Sequence, residues 1–492
     1  MPRYVAMAFR FAVGALMYLF WISQCATAQR VEDSCHAFFD DRHQALDCVE
    51  ALFTQTDIPY HLPHLTLSSL PPGNGFPIGV AYEKRKNYVS SPFYGTNQPD
   101  KPVEGYKSIV DVTAAAVIST NGSWYATAGL TWLPPIHYHS ENKNGTKVCH
   151  RLWVFCTKQV FGVQLSVTHR SLQTLSFYGL GPSSPDVQLS YRQNETYGGA
   201  IARMPLFDWL VVEGQIENRK PSVHFSSESL ASTTIDESIA PGFSTQPDFL
   251  HYTVEISSHI QAISEPVTND PVITPPGVEP PPLMKRKFVW VFDNSATQHW
   301  FVDQTDGHYS FRQTVIDGQE SVKLHPVIRR FVDPSAMTTS LKILKHFCNN
   351  RQSGLKQDDE CDFGEFLFRP YLVISSSGSG VVPFYLQPSL GGSDIESRLT
   401  LRGFNDYRFR SHDAALLSVD YRLTVWDPIG VVIFYDAGNV GNSAGELSFA
   451  HARQDGGIGA TLRIQKNVVA QTFLGWGAGH GEHFGYSFTK FF

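Results

Sequence analysis

A strict alternation of apolar and polar side chains constrains this chain more than any other feature. In one segment Ala415, Leu417, Val419, Tyr421, Leu423 and Val425 alternate with Ser418, Asp420, Arg422 and Thr424. In another, Ile458, Ala460, Leu462 and Ile464 alternate with Gly459, Thr461, Arg463 and Gln465. Far upstream, Val110, Val112, Ala114, Ala116 and Ile118 stand against Asp111, Thr113 and Ala115. Period two marks β-strands, whose successive side chains point to opposite faces. A soluble sandwich alternates too, so the chain end discriminates. There Tyr486, Phe488 and Phe492 alternate with Gly485, Ser487 and Thr489. A membrane barrel closes its wall with such a strand and sets aromatics at the interface. Lys490 departs from the pattern, but its stem can snorkel to the headgroups.

Lipid tolerates no open sheet edge, so strands that cross it must close on themselves. After the first residues no segment has the ~18 consecutive apolar residues of a membrane-spanning helix. The expected fold is therefore all-β, a transmembrane antiparallel β-barrel of about 16 strands over residues 71–492, with a short N-terminal helical segment. A net charge of −7 offers no basic face, which argues against a nucleic-acid partner.

Arg3 and Arg10 flank an apolar run to Ile22, followed by Ala26-Thr27-Ala28. This pattern predicts a signal peptide over 1–28, cut before Gln29. Its removal takes Cys25 and leaves six cysteines in sequence-local pairs, Cys35 with Cys48, Cys149 with Cys156, and Cys348 with Cys361. An even count after a signal peptide predicts disulfides; proximity favours these pairs, although six cysteines allow 15 pairings. Between Gln29 and about Tyr60, Ala37, Phe38, Ala45, Leu46, Val49 and Leu52 predict helix, and residues 29–70 are expected to form a periplasmic helical hairpin or plug segment. The prolines of Glu265–Leu283 predict an extended loop, and Met337, Leu341 and Leu344 a helical insertion before the Cys348–Cys361 loop.

Signatures of catalysis are sparse. No H-E-x-x-H, G-x-S-x-G or phosphate-cradling pattern stands out, so no enzyme activity, cofactor or metal is expected. His137, His139 and His150, and His61 with His64, lack ligands at metal spacing and read as loop histidines. Asp358, Asp359, Glu360 and Asp362 lack calcium-loop spacing. Gly475, Gly477, Gly479 and Gly481 read as a small-residue strand against which another element packs.

At Leu401-Arg402-Gly403-Phe404 the sequence resembles the BamA/TamA superfamily of outer-membrane assembly barrels, also called the bacterial surface antigen family. Supporting motifs are Pro383-Phe384, Leu390-Gly391-Gly392, Val419-Asp420-Tyr421-Arg422 and Phe434-Tyr435-Asp436-Ala437-Gly438-Asn439, with Phe177-Tyr178-Gly179-Leu180-Gly181-Pro182 mid-chain. The resemblance implies a loop, here about 380–412, folded into the barrel lumen and locked there by Arg402, Gly403 and Phe404. Strand parity adds a physical reading. With Leu417, Val419 and Tyr421 toward lipid, Asp420 turns inward; with Val431, Ile433, Tyr435 and Ala437 outside, so does Asp436. Two inward carboxylates form a fork for a guanidinium. The competing arrangement pairs Asp420 with Arg422 or Arg463 and leaves Arg402 in water.

Members that carry periplasmic polypeptide-binding domains use them on clients, and Gln29–Gly75 is too short for one. The resemblance thus implies an integral barrel of the bacterial outer membrane that aids insertion or transport of protein or lipid. The alternative is a passive pore or structural barrel. Expected partners are outer-membrane lipid and lipopolysaccharide, with a periplasmic partner or client protein.

Overall fold

A computed structural model describes residues 64–66, 70–89, 107–134, 141–143, 146–148, 161–207, 209–227, 229, 235–264, 288–323, 364–426, 429–464, 467–477 and 481–488. The expected signal peptide, the expected hairpin segment up to residue 63, the proline-rich stretch, the helical insertion, all six cysteines, Lys490 and Phe492 lie outside the described residues, and 64–66, within the expected hairpin segment, are strand. So do His61, His137, His139, His150 and the acidic run at 358–362.

Among the described residues, sixteen strands form one antiparallel sheet, in keeping with the alternation. In chain order they begin with β1 (His64–Thr66), β2 (Pro77–Val89), β3 (Lys107–Ser119) and β4 (Trp124–Leu133). A small separate hairpin, β5 (Glu141–Lys143) with β6 (Thr146–Val148), interrupts the wall. The wall resumes with β7 (Gly162–Phe177), β8 (Leu189–Phe207), β9 (Leu210–Phe225), β10 (Phe249–Ser264), β11 (Phe288–Asp303), β12 (Phe311–Lys323) and β13 (Glu365–Ser377). A second pair, β14 (Ser389–Leu390) with β15 (Phe409–Arg410), lies within the next connection. The wall ends with β16 (Asp413–Trp426), β17 (Ile429–Gly441), β18 (Arg453–Ile464), β19 (Asn467–Gly477) and β20 (Gly481–Phe488). His64, expected in a loop, pairs with Ala81, so the wall begins ahead of residue 71.

Each wall strand lies beside its neighbour in sequence, an up-and-down order. The sheet is curled, because the single connection 378–412 touches strands far apart in that order. Glu396 meets Arg170 of β7, Arg398 meets Asp317 of β12, and Arg410 reaches Tyr191 of β8. Arg402 meets Asp420 and Asp436 of β16 and β17, and its carbonyl meets His483 of β20. Tyr486 of the last strand donates to the Gly75 carbonyl at 3.3 Å, before β2. Only a wall wrapped around the connection brings these groups to it.

The wall's two faces differ as the parity requires. In β17 Ile429, Val431, Ile433 and Tyr435 are exposed, while Val432, Phe434 and Asp436 between them are buried. Ile433 is 54% exposed, and Leu165, Val167, Ile256, Ile458 and Phe484 behave alike on other strands. An apolar surface of that extent is stable against lipid, not against water. Ala437, on the same parity as exposed Tyr435, is itself only 9% exposed. Its cross-strand neighbours are Leu417 and Gln454, both with longer side chains.

Ile433→Arg tests the assignment of faces. At a lipid-facing position it costs about 2–4 kcal/mol, read as a lower urea midpoint for unfolding from phospholipid vesicles. An unchanged midpoint would place Ile433 in water.

Candidate functional site

The connection between β13 and β16 is built to hold a compact shape. One turn of 3-10 helix at Phe384–Leu386 packs its first ring against Phe177, 5.0 Å between centroids. β14 and β15 then zip the two legs together, Ser389 opposite Arg410 and Leu390 opposite Phe409. Gly391 and Gly392 adopt φ of +119° and +55°, which admit L side chains only with strain. A side chain on Gly391 would also lie 2.8 Å from the Arg408 backbone nitrogen.

At the tip, Arg402 is completely buried, as are Asp420 and Asp436. Arg402 Nε donates to Asp436 Oδ2 at 2.8 Å, and Nη2 donates to Asp436 Oδ1 at 2.7 Å and to Asp420 Oδ1 at 2.6 Å. The Arg402 backbone N–H adds a bond to Asp436 Oδ2 at 3.2 Å. The guanidinium also lies over the Phe434 ring, 3.8 Å from its centroid. The sequence places these groups together because Ser418 faces Asp436 in register, with Asp420 two residues along the same inner face. Burial alone would lower the Arg402 pKa, but Asp436 and Asp420 raise it well above the usual arginine range. Charge-assisted, bidentate pairing of this kind is the strong form of hydrogen bond.

Backbone contact completes the tip. A Cβ on Gly403 would come within 2.6 Å of the Gly477 nitrogen and 2.7 Å of the Trp476 carbonyl carbon. Gly475, seen from the other side, lies as tightly against Gly403 and Arg402. Small residues on β19 thus admit the loop, as the alternating glycines suggest. Phe404 is 1% exposed and packs edge-on against Phe409. His483 Nδ1 on β20 lies 2.9 Å from the Arg402 carbonyl oxygen.

Sequence reasoning weighed Arg402 and Arg422 as rival partners of Asp420, and both are present. Arg422 Nη2 donates to Asp420 Oδ2 at 3.1 Å. Arg369 of β13, unforeseen, adds bonds at 3.2 and 3.3 Å. A solvated Arg402 is overturned by its burial, and the Arg463 side chain lies outside the described residues. Asp455 of β18, also unforeseen, is 4% exposed and stands directly across from Asp436.

A second anchor grips the opposite side. Arg408 donates to the Ser184 hydroxyl and carbonyl, both at 3.0 Å, and Arg410 donates to the Phe384 carbonyl at 2.8 Å and to Tyr191 Oη at 3.3 Å. Gly181 N–H donates to the Arg410 carbonyl at 2.7 Å. The mid-chain Phe177–Pro182 motif therefore meets the same connection as the C-terminal motifs. Tyr407 Oη reaches the Pro72 carbonyl at 3.1 Å. No spacing in the sequence announces these contacts, since all but the Arg410–Phe384 bond join residues more than 200 apart.

No family model matches the chain, and no curated protein matches it. Among solved structures it is similar to CdiB from Acinetobacter baumannii, at TM-score 0.41 and 9% identity, over 86% of this chain and 58% of that one. It is similar to BamA from Haemophilus ducreyi lacking POTRA domains 1–3, at TM-score 0.43 and 9% identity, over 86% and 69%. CdiB from Escherichia coli gives TM-score 0.41 and 10% identity, over 86% and 61%. The chain spans less than two-thirds of either CdiB chain. Likenesses at this level carry no functional weight.

Truncation at the tip gives a sharp prediction. Arg402→Ala leaves Asp420 and Asp436 buried beside an empty guanidinium site, at a cost of about 3–5 kcal/mol. The folded band on unheated gels should convert to the unfolded mobility at lower temperature, with new protease cuts between 390 and 412. Wild-type behaviour in both assays would remove the locking role.

Proposed function

We propose that the chain is an integral β-barrel of the bacterial outer membrane that aids the insertion or transport of protein or lipid there. The observation that carries this reading is the buried Arg402 contact. It fastens a connection inside the wall to β16 and β17, and through Gly403 and His483 to β19 and β20. A permanently open pore gains nothing from a fully desolvated ion pair at the end of an inward loop. A wall whose closing strands are tied to an internal element has a means of holding and releasing that element. The exposed apolar rows supply the second support, since they match a lipid environment. The reading assigns the chain no catalysis and no cofactor. Protein or lipid in transit is the client class, and lipid with lipopolysaccharide the surroundings.

A cavity of about 790 Å³ opens at the other end of the wall, lined by Gln164, Arg203, Glu213, Ser257 and Asp317 among others. It favours the passive-pore alternative to the extent that it is polar and open. Depletion of the protein in its host, with outer-membrane protein and lipopolysaccharide levels followed by quantitative proteomics and lipid analysis, separates the two. We expect a fall in one of those classes, and only low, intermittent conductance from the purified barrel in planar bilayers. Steady open conductance with unchanged outer-membrane composition would favour the passive pore.

A further inference from the structure

Two histidines from neighbouring strands meet on the inner face of the wall. His251 of β10 and His299 of β11 are 48 residues apart in the chain, so no spacing marks them. The register sets Thr253 opposite His299 and His251 opposite Phe301, with Glu217 of β9 across from His251 on the other side. His251 Nε2 stands 3.1 Å from His299 Nδ1. Thr253 Oγ1 lies 3.1 Å from the first nitrogen and 3.2 Å from the second, which makes a nearly equilateral triangle. His251 is 3% exposed, whereas His299 is half-buried.

Hydrogens are too few for this triangle. The Glu217 carboxylate accepts from His251 Nδ1 at 2.8 Å, so a neutral His251 carries its hydrogen there and turns the Nε2 lone pair toward the other two atoms. Three close contacts then share two hydrogens at most, one on Thr253 and one on His299. Donor atoms that converge with too few hydrogens make a place for a cation. The separations agree, because ligands at zinc–nitrogen distance from a tetrahedral ion stand roughly 3.3 Å apart, within about 0.2 Å of the triangle observed. Glu217 has the position of the carboxylate that, behind a metal-bound imidazole, fixes its tautomer and raises its basicity.

Charge and access fit as well. Glu195 takes up Arg170 and Arg219, each at 2.7 Å, and Arg219 lies 3.7 Å from Glu217, so two carboxylates match the two guanidinium groups nearby. Polar pairs then lead along the inner face toward the cavity: Glu255 with Thr297, Ser257 with Ser295, and His259 with Asp293. The last two pairs line it. We propose that His251, His299 and Thr253 form a site for a divalent ion of the zinc class, with Glu217 as the positioning residue behind His251. Imidazole nitrogen suits zinc, copper or nickel better than magnesium or calcium. Among the described residues no group of three or more His, Cys, Asp and Glu is placed to hold an ion, so water completes the shell. The site is independent of the insertion or transport reading. The rival arrangement is a closed hydrogen-bonded triad that takes up no metal.

The test uses full-length protein without a histidine tag, folded in nonionic detergent and stripped by chelator. It is titrated with Zn²⁺ by calorimetry and with Cu²⁺ by electron paramagnetic resonance. The wild type should take up Zn²⁺ saturably, and its Cu²⁺ spectrum should carry the splitting of two nitrogens. His299→Gln, at a half-buried position, should abolish both. Glu217→Gln should weaken Zn²⁺ binding about 10–100-fold and leave the two-nitrogen splitting in place. His259→Gln, beside the cavity, should change neither. Zn²⁺ should also raise the temperature at which the wild-type band converts on gels, and Mg²⁺ should not, a readout that needs no variant. No Zn²⁺ uptake or stabilisation in the wild type overturns the site. So do uptake and splitting that survive His299→Gln, which would place the ion on other histidines. Unchanged affinity in Glu217→Gln overturns the positioning role.

Discussion

A guanidinium shut away from water between two carboxylates sets the terms for the rest of the structure. Arg402, Asp420 and Asp436 are all fully buried, and each is costly to desolvate alone. Arg402 and Asp436 are tolerable there only together, with the ring of Phe434 beneath and the Arg402 amide adding its own bond, whereas Asp420 is also held by Arg369 and Arg422. β16 and β17 must hold their register, because a slip of one residue would turn either carboxylate toward lipid. The loop tip must approach within backbone distance of β19, which requires Gly403 on one side and Gly475 and Gly477 on the other. Such a contact is weak evidence for net stability, since an apolar trio of similar volume could do as well. Its value lies in specifying one arrangement of loop and wall.

That arrangement makes the connection a crossbar. One end is seated on β16 to β20, and the other on the β7–β8 corner through Arg408 and Arg410, with Tyr407 reaching the segment before β2. The aromatic cluster of Phe177, Tyr191, Phe225 and Phe384 fills the space beside the second seat. Release of the crossbar from the first seat would expose three buried charges together, so it is costly unless something replaces them. A device that can be held, and freed only by a specific replacement, suits assembly or transport better than passive diffusion.

Much of the wall was legible in the sequence. Period two located β16, β17 and β18, and parity alone turned Asp420 and Asp436 inward. Ala437 keeps its outward parity, paired with outward Leu417, although it is only 9% exposed. Contacts between distant segments were not legible. Arg369 on β13 and Asp455 on β18 join the tip through the register of neighbouring strands, and His483 on β20 because the sheet curls; nothing local marks them. Arg408 and Arg410 close the β7–β8 seat, and nothing in the sequence around them marks that role. Arg402 was found through a motif; its burial, which gives it its weight, required the fold.

The central claim is that Arg402 and Asp436 act as a pair, and a double-mutant cycle measures this directly. Arg402→Met, Asp436→Asn and the combined variant would be compared by urea unfolding from phospholipid vesicles. Groups in one buried, charge-assisted contact should show a coupling energy of about 2 kcal/mol or more, with the double variant less damaged than the sum of the singles. Additive losses, with coupling near zero, would contradict the claim that this contact holds the loop inside the wall.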